Sequence, residues 1–227
     1  MGPIISLTTI PSRIEHIQPC IASLLRQGLP VYLWVQKEVK RTRTMLRTVP
    51  AFLENVSGLT VAVVEERGPI TKLLPALEAG FKTVITADDD LIYGDGWAGG
   101  LVEARWIQPG VVSYRGRIIV EGQPYNQSTV IKNTVKNVNF VTGVQGTIYQ
   151  RKFFEDSIFS EWEDWPMNDD IVISAHLNRR GIPITVVPFP PGCKVEILGK
   201  VSKINALNKI NVKGKLNDEG LTKVFWA

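Results

Sequence analysis

The 227-residue chain contains 44% hydrophobic and 21% charged residues, proportions that are ordinary for a folded globular protein and that exclude a disordered or fibrous chain. Its longest apolar runs are shorter than the roughly 18 residues needed to cross a membrane. The N-terminus also lacks the basic and apolar regions of a secretory signal, so we expect a protein that works in the cytoplasm.

The net charge of +4 is concentrated near the C-terminus, because residues 192–227 contain seven lysines and three acidic residues. A basic tail on a neutral body suggests an anionic partner such as nucleic acid, an acidic glycan or a membrane surface. A solvated face explains the lysines equally well, since no aromatic residues alternate with them. Cys20 and Cys193 are the only cysteines, and neither has a Cys or His neighbour at the spacing of a zinc site.

The first 35 residues predict a β-α-β unit. Residues 4–8 form a β-branched run typical of a strand. Ser12 and Glu15 form an S-x-x-E capping box that predicts a helix over residues 13–26. Residues 31–35 then predict a second strand, and units of this kind build parallel sheets.

The rest of the chain continues to alternate between strand and helix patterns. Strands are predicted over 59–64, 83–87, 111–114, 117–120, 138–142 and 185–187, and helices over 41–53, 71–79, 97–106 and 169–179. Residues 121–137 are polar and predicted to be irregular. A proline-rich stretch at 188–192 separates a predicted α/β domain, residues 1–191, from the basic tail, residues 192–227, which packs on the domain or extends it.

Two polar segments follow predicted parallel strands, residues 8–13 and Asp88–Asp90. Open parallel sheets bind ligands at the carboxyl ends of their strands. Side chains two residues apart project to the same side of an extended chain, so Asp88 and Asp90 can face one ligand while Asp89 points elsewhere. A hard divalent cation, Mg²⁺ or Mn²⁺, is the natural neutraliser of such a cluster. The alternative is a simple turn, because aspartate favours turns.

Three segments, VITADDDLIYGDGW, TGVQGTIY and NDDIVISAHLNRRGIPI, occur in this order and resemble those of the GT-A-fold glycosyltransferases. The resemblance is to small glycosyltransferase 2-like enzymes of bacteria and phages that begin with a strand like ISLTTIPSRI, and it covers about residues 4–190. It implies a GT-A-like, Rossmann-like α/β fold with a mostly parallel sheet flanked by helices. It also implies a nucleotide-sugar donor, with a UDP-sugar as first choice, and Mn²⁺ or Mg²⁺. An acidic triplet alone is a weak motif, and its position after a strand and its companion segments give it meaning.

The resemblance also implies roles for individual residues. Thr8, Thr9 and Arg13 would line the nucleotide pocket, and Lys72 would approach the base or diphosphate. Asp88 would contact the ribose or sugar, and Asp90 would bind the metal. The full set of candidate donor-binding residues is Thr8, Thr9, Arg13, Lys72, Asp88, Asp89, Gly143 and Gly146, and the candidate metal ligands are Asp90, Asp88 and His176.

Simpler explanations remain for several of these residues. Ordinary strand-end hydrogen bonding accounts for the two threonines, a surface charge for Lys72, and a tight turn for Gly143 and Gly146. Asp89 has a purely structural alternative, and His176 has that of a core or surface histidine.

Asn168, Asp169 and Asp170 open the predicted helix over 169–179, where one of them is expected to cap the first turn. The resemblance makes one of the two aspartates the base that deprotonates the acceptor hydroxyl. We favour Asp170 over Asp169.

The acceptor is not specified by these patterns. Our first expectation is a glycan precursor, modified in the cytoplasm of a bacterium or a phage-infected bacterium. The alternative is DNA that carries a hydroxymethylated pyrimidine, which the basic tail would help to bind. A nucleotidyltransferase or a non-catalytic nucleotide-sugar-binding module is a further alternative, although the loop after the first strand, SLTTIPSR, contains none of the glycines that nucleotidyltransferases usually carry there.

Overall fold

A computed structural model describes residues 2–166, 168–205 and 215–227. Within them the strands are β1 (Ile4–Thr9), β2 (Val31–Gln36), β3 (Glu38–Val39), β4 (Thr44–Met45), β5 (Leu59–Val64), β6 (Thr83–Ala87), β7 (Leu91–Tyr93), β8 (Val111–Ser113), β9 (Arg115–Ile118), β10 (Thr129–Lys132), β11 (Lys136–Val138), β12 (Phe140–Val141), β13 (Thr147–Gln150), β14 (Ile184–Val186) and β15 (Val195–Ile197). The α-helices are α1 (Gln18–Leu25), α2 (Leu74–Glu78), α3 (Trp97–Ile107), α4 (Ile158–Glu161), α5 (Asp169–Arg179) and α6 (Leu216–Gly220).

An eight-stranded central sheet has the order β11-β14-β8-β13-β6-β1-β2-β5. Six of its strands run in one direction, and only β13 and β11 run the opposite way. The predicted α/β class, a mostly parallel sheet flanked by helices, is therefore confirmed. Parallel neighbours bring the carboxyl ends of β1 and β6 to the same edge of the sheet, which is the edge that carries the site.

Both faces of the sheet are buried. Ile5 and Leu7 of β1 belong to an apolar core shared with α1 and α3, whereas Ile4 belongs to the core on the opposite face, shared with α2 and α5. Burial on two faces explains why β1 and β6 are nearly continuous apolar runs rather than alternating sequences.

The predicted helix over 41–53 is wrong. The segment forms short 3-10 turns and the two-stranded β3–β4 hairpin. Its β-branched threonines have low helix propensity, Pro50 disfavours helical geometry in the residue before it, and Arg43 adopts a left-handed φ of 52°.

The predicted capping box is also wrong. Ser12 caps no helix, and its Oγ accepts a hydrogen bond from Asn205 Nδ2 at 2.9 Å. A 3-10 turn, Ile14–His16, comes first, and α1 begins only at Gln18, where Pro19 occupies the first turn.

Residues 121–137 are more regular than predicted. They contain a 3-10 turn, β10 and β11, and β10 completes a small antiparallel sheet of order β10-β9-β12. The predicted helix over 71–79 divides into a 3-10 turn, Gly68–Lys72, and α2, each of which has a proline in its first turn.

The described part of the tail contacts the preceding fold through regular elements as well as through single hydrogen bonds. β15 pairs with β7, and a π-helical turn after α6, Leu221–Phe225, packs against α5. Lys209 and Lys213, two of the basic tail residues, lie outside the described residues. Among those that are described, no helix has the length and apolarity to span a bilayer.

Candidate active site

A cleft of about 660 Å³ opens where β1 and β6 end, a volume typical of ligand pockets. Its lining brings together nine of the predicted site residues, namely Thr8, Thr9, Arg13, Lys72, Asp88, Asp89, Asp90, Asp169 and Asp170. Thr8 and Thr9 end β1 and Arg13 follows it, and the three aspartates 88–90 follow β6. Lys72 ends the 3-10 turn Gly68–Lys72, and Asp169 and Asp170 start α5. The cleft lining does not include Gly143, Gly146 or His176.

The backbone of the aspartate segment is held by Tyr93. Its hydroxyl accepts a hydrogen bond from the Asp88 N–H at 2.7 Å and lies 3.2 Å from the Asp88 carbonyl oxygen. Tyr93 is fully buried under the segment. On the other side, the Leu198 N–H donates to the Asp90 carbonyl at 2.7 Å. The sequence did not predict this role of Tyr93, because the contact depends on the turn between β6 and β7 that brings the tyrosine hydroxyl to the Asp88 backbone.

Asp89 is a structural residue. Its carboxylate accepts hydrogen bonds from Thr9 Oγ1 at 2.7 Å and from Arg13 Nη1 at 2.6 Å, and the residue is buried. Burial raises the pKa of Asp89, although the Arg13 charge and both hydrogen bonds oppose the rise. Arg13 also donates through Nε to the Ile204 carbonyl at 2.9 Å. Asp89 therefore ties the loop after β1 to the end of β6.

Asp88 and Asp90 are the more accessible members of the cluster, with side-chain exposures of 21% and 24%. Burial and repulsion by Asp88 and Asp89 raise the pKa of Asp90 to about 6. Within the described residues no group of three or more His, Cys, Asp or Glu side chains is arranged to hold a metal ion. The protein therefore offers two carboxylates here, a donor set that suits Mg²⁺ or Mn²⁺ completed by water and substrate phosphate oxygens.

Lys72 is buried, with 6% of its surface exposed, so it is not a surface charge. Its Nζ lies 3.0 Å from Asp88 Oδ1 and 3.0 Å from Asp169 Oδ2. Burial alone lowers the pKa of Lys72, but the carboxylates of Asp169, Asp88 and Asp170 outweigh it and raise the pKa well above its usual value. Lys72 therefore stays charged and links the two acidic groups of the cleft.

The three polar residues at the start of α5 have separate roles. Asn168 caps the helix by accepting from the Ile171 N–H at 3.3 Å, and Asp169 pairs with Lys72. Asp170 accepts from the Gly143 N–H at 2.8 Å and lines the cleft. Burial and the nearby Asp169 charge raise the pKa of Asp170 to about 7, against the opposing effect of Lys72. A carboxyl with this pKa can accept a proton near neutral pH.

The two predicted glycines act behind the cleft. Gly143 orients Asp170 through its N–H, and a Cβ at this position would lie 3.0 Å from Lys72 Nζ and 3.1 Å from Asp170 Oδ1. Gly146 has a φ of 114°, and a Cβ there would lie 2.5 Å from the Trp97 ring. Backbone conformation and packing thus require a glycine at position 146.

His176 is directed into the core. Its Nδ1 lies 3.0 Å from Glu161 Oε2, and its Nε2 accepts from the Glu155 N–H at 3.2 Å. Both ring nitrogens are engaged and the ring is buried beside Phe154. This placement argues against the predicted metal-ligand role and agrees with a core histidine.

Three arginines of the cleft lining were not predicted from the sequence, Arg41, Arg115 and Arg117. Arg41 donates to the Asn205 carbonyl at 3.1 Å, and partial burial together with the Arg13 charge lowers its pKa. For Arg115 and Arg117 the sequence signal is their R-x-R spacing, which places both side chains on one face of a strand. Arg115 falls between the predicted strands 111–114 and 117–120, so the sequence did not predict this shared face.

No family model and no curated protein matches this sequence. Among solved structures, the chain is similar to a candidate glucose-1-phosphate thymidylyltransferase from Bacillus anthracis, solved in complex with sucrose, with a TM-score of 0.51, 12% sequence identity and 95% coverage of both chains. A protein from STIV gives a TM-score of 0.46 at 12% identity, over 87% of this chain and 85% of that one. At such identity the first similarity shows a shared fold.

Proposed function

We propose that the protein is a metal-dependent glycosyltransferase that moves a sugar from a nucleotide-sugar, with a UDP-sugar as first choice, to an acceptor hydroxyl. The observation that carries the proposal is the pairing of two acidic groups in one cleft. Asp88 and Asp90 lie at the end of β6, Asp170 has a pKa of about 7, and Lys72 joins the two groups.

The donor side of the reaction needs compensation for negative charge on the diphosphate leaving group. Asp90 and Asp88 would hold Mn²⁺ or Mg²⁺, which when bound offsets that charge. Arg13 and Arg41 add two cations on the same side, and their mutual repulsion contributes to the lowered pKa of Arg41. An anion placed between them would relieve this repulsion, as a diphosphate does.

The acceptor side needs a base. The acceptor hydroxyl loses its proton to Asp170 while its oxygen forms a bond to the anomeric carbon, and the bond from that carbon to the diphosphate oxygen breaks. The Gly143 N–H fixes the Asp170 carboxylate. Lys72 pairs with Asp169 and so holds in place the residue that precedes Asp170.

The test is incubation with UDP-, GDP- and dTDP-sugars in the presence of Mn²⁺. We expect release of nucleoside diphosphate from at least one donor, and loss of release with EDTA or in Asp90→Asn. Asp95→Asn is the matched control, because Asp95 lies five residues further along the chain with a side chain that is 91% exposed. Absence of metal-dependent release from every donor would refute the proposal, and donor binding without release would indicate a binding module.

Nucleotidyl transfer is the second candidate, favoured by the fold shared with the candidate thymidylyltransferase. It too uses paired carboxylates and a metal ion, but its products differ. Incubation with nucleoside triphosphates and glucose 1-phosphate would release pyrophosphate rather than a nucleoside diphosphate. The glycine-free loop after β1 and the raised pKa of Asp170 favour glycosyl transfer instead.

DNA with a hydroxymethylated pyrimidine is the alternative acceptor, suggested by the lysines of the tail. Binding that depends on phosphate contacts weakens steeply as salt rises. Duplex DNA binding that is absent, or that does not change between low and high salt, would leave a glycan-type acceptor as the remaining class.

A further inference from the structure

One wall of the cleft carries two arginines without an acidic partner. Arg115 and Arg117 lie two residues apart on β9, so their side chains project from the same face. Both line the cleft and both are partly buried. Among the described residues, no carboxylate oxygen lies within the 4.0 Å of an ion pair to either guanidinium.

Two other cations near the aspartates are already paired, Arg13 with Asp89 and Lys72 with Asp88 and Asp169. Arg41, on the β1–β2 side of the cleft, donates to the Asn205 carbonyl and has no ion pair among the described residues. On the wall that carries β9, the charge of Arg115 and Arg117 is left uncompensated by the described protein groups. Partly buried cations without a counter-ion are costly unless a ligand supplies the anion.

The contacts of Arg117 fix the position of its guanidinium group. Arg117 donates through Nη1 to Ser128 Oγ at 2.8 Å, and its guanidinium lies 4.5 Å over the Tyr125 ring. The Nε atoms of Arg115 and Arg117 are both buried without a hydrogen-bond partner. Burial, and then the charge of Asp170, raise the pKa of Tyr125 to about 12, so its hydroxyl remains a donor. Because the Arg117 guanidinium is stacked and anchored, it retains N–H donors for a ligand and loses little conformational entropy on binding.

We propose that Arg115 and Arg117 bind a phosphate group on the acceptor, so that the acceptor is a phosphorylated sugar or glycan. The assignment rests on the proposed function, because it names the acceptor of the same reaction. A phosphate monoester carries a charge between about −1.5 and −2 near neutral pH and accepts bidentate hydrogen bonds from guanidinium groups. Two guanidinium groups match both its charge and its oxygen atoms.

The position of the pair assigns it to the acceptor rather than to the donor. In the sheet, β6 lies between β1 on one side and β13 and β8 on the other. Arg13 and Arg41 belong to the β1–β2 side, next to the aspartates that follow β6. Arg115 and Arg117 follow β8 on the opposite side, where Asp170 is close enough to affect the pKa of Tyr125. The free guanidinium groups therefore stand near the base.

The same features favour a sugar phosphate over a nucleic acid. Proteins that bind duplex DNA neutralise several phosphates with a row of exposed basic side chains. Here two partly buried arginines share a cleft with aspartates, an arrangement that fits one terminal phosphate. A DNA acceptor would instead require contacts outside this cleft.

Calorimetric titration of the full chain with glucose 6-phosphate, and with glucose as the uncharged reference, tests the proposal. We expect glucose 6-phosphate to bind more tightly than glucose, and Arg115→Gln/Arg117→Gln to weaken its binding roughly 10- to 100-fold, as expected for lost charged hydrogen bonds. Binding of UDP with Mn²⁺ should stay unchanged in the double variant. Thermal melting would confirm that the double variant remains folded.

Arg105→Gln is the matched control. Arg105 is also partly buried, also has an unpartnered Nε and also stacks on an aromatic ring, at 4.4 Å from the Trp106 centroid, but it lies outside the cleft. This variant should bind glucose 6-phosphate like the unaltered protein.

Four outcomes would overturn the proposal: no preference for glucose 6-phosphate over glucose, equal binding in the double variant, equal loss of UDP binding in that variant, or tighter arginine-dependent binding of glucuronic acid or a short DNA duplex. The proposed function fails differently. If the unaltered protein binds none of UDP, GDP and dTDP with Mn²⁺ while arginine-dependent binding of glucose 6-phosphate persists, glycosyl transfer is refuted but the phosphate site is not.

Discussion

At the scale of single residues, the cleft aspartates differ in what holds each carboxylate. Asp89 is bonded to Thr9 and Arg13, whereas Asp90 has no pairing closer than 4.0 Å, to Arg13. Asp170 accepts one hydrogen bond from a backbone N–H, and the charges that act on it are those of Asp169, Lys72 and Asp88. Identical side chains therefore have different pKa values and different tasks.

Asp170→Asn should slow glycosyl transfer by about 10²- to 10⁴-fold, the usual contribution of a general base. Donor binding should remain, because the amide keeps the shape of the carboxylate. In the unaltered protein the rate should rise as pH passes through about 7, where Asp170 loses its proton. The variant should lose this step. Steady-state rates from pH 5.5 to 9 measure both effects, with exposed Asp164 changed to Asn as the control.

Asp90→Asn should stabilise the metal-free protein at pH 7.5. The pKa of Asp90 in the folded protein, about 6, lies above its ordinary value of 3.8. The contribution of Asp90 protonation to the free energy of unfolding is therefore fully present below about pH 4 and is lost as the pH rises through 6. Removing the charge should raise the free energy of unfolding at pH 7.5 by on the order of 2 kcal/mol, with no difference near pH 4.

Thermal or urea unfolding in EDTA at the two pH values measures this effect, and Asp95→Asn should change neither. Equal or lower stability of Asp90→Asn at pH 7.5 would contradict the expected repulsion among the aspartates.

Strand-end reasoning predicts that Thr9, Arg13 and the aspartates 88–90 meet at one edge of the sheet, because it depends only on local sequence and on the parallel direction of β1 and β6, and these residues do line one cleft. Asp170 was selected through the resemblance together with its position at the start of a helix. It fails for Arg115 and Tyr125, because the antiparallel β10-β9-β12 sheet that positions them depends on pairings that no local pattern specifies.

At the scale of elements, β13 is an antiparallel strand inserted between β6 and β8. The turn that enters β13 contains Gly146, whose backbone faces the indole of Trp97. The Trp97 Nε1 donates to the Gln145 carbonyl at 2.7 Å, so helix α3 and the turn are fixed together. A residue with a Cβ has no space in this turn.

Gly146→Ala should therefore destabilise the protein by roughly 2 to 4 kcal/mol, since it combines a disfavoured positive φ with a Cβ that would lie only 2.5 Å from the Trp97 ring. Gly99→Ala is the control in α3, where a Cβ meets nothing within 4 Å. It should stabilise the protein by about 0.5 to 1 kcal/mol through helix propensity. Urea unfolding of both variants measures the contrast, and equal effects would contradict it.

The ends of an element were predictable where buried apolar residues recur along the sequence at the spacing of that element. The helix α5 was predicted with its observed ends, 169 and 179, because a polar start and apolar positions define it. The segment 41–53 was misassigned because its basic residues suggested an exposed helix while its threonines and Pro50 favour extended and turn conformations.

At the scale of the whole molecule, the chain's last residues belong to a core. Phe225 is 7% exposed and its ring lies 5.6 Å from that of Phe140, in a cluster that also contains Ile171 of α5. The boundary predicted near residue 191 stays a prediction. The described end of the tail nevertheless stabilises the helix that carries Asp170.

Phe225→Ala should lower the free energy of unfolding by about 3 to 5 kcal/mol, the range for removing a buried aromatic ring. Trp106→Ala, at a tryptophan that is 78% exposed, should change it by less than about 1 kcal/mol. Chemical denaturation of the two variants provides the comparison. If Phe225→Ala were as mild as the control, the C-terminal turn would not be part of the core.

The ammonium group of Lys72 joins Asp88, 16 residues away, to Asp169, 97 residues away. A chain still emerging from the ribosome has β1, β2, β5 and β6 long before it has β13, which must enter the middle of the sheet, or α5, which supplies the second partner. Pairing of this non-local kind is slow to form. Assembly of the cleft is therefore a late step of biosynthesis, and a nascent chain that stops before α5 holds the aspartates 88–90 without Asp169 and Asp170.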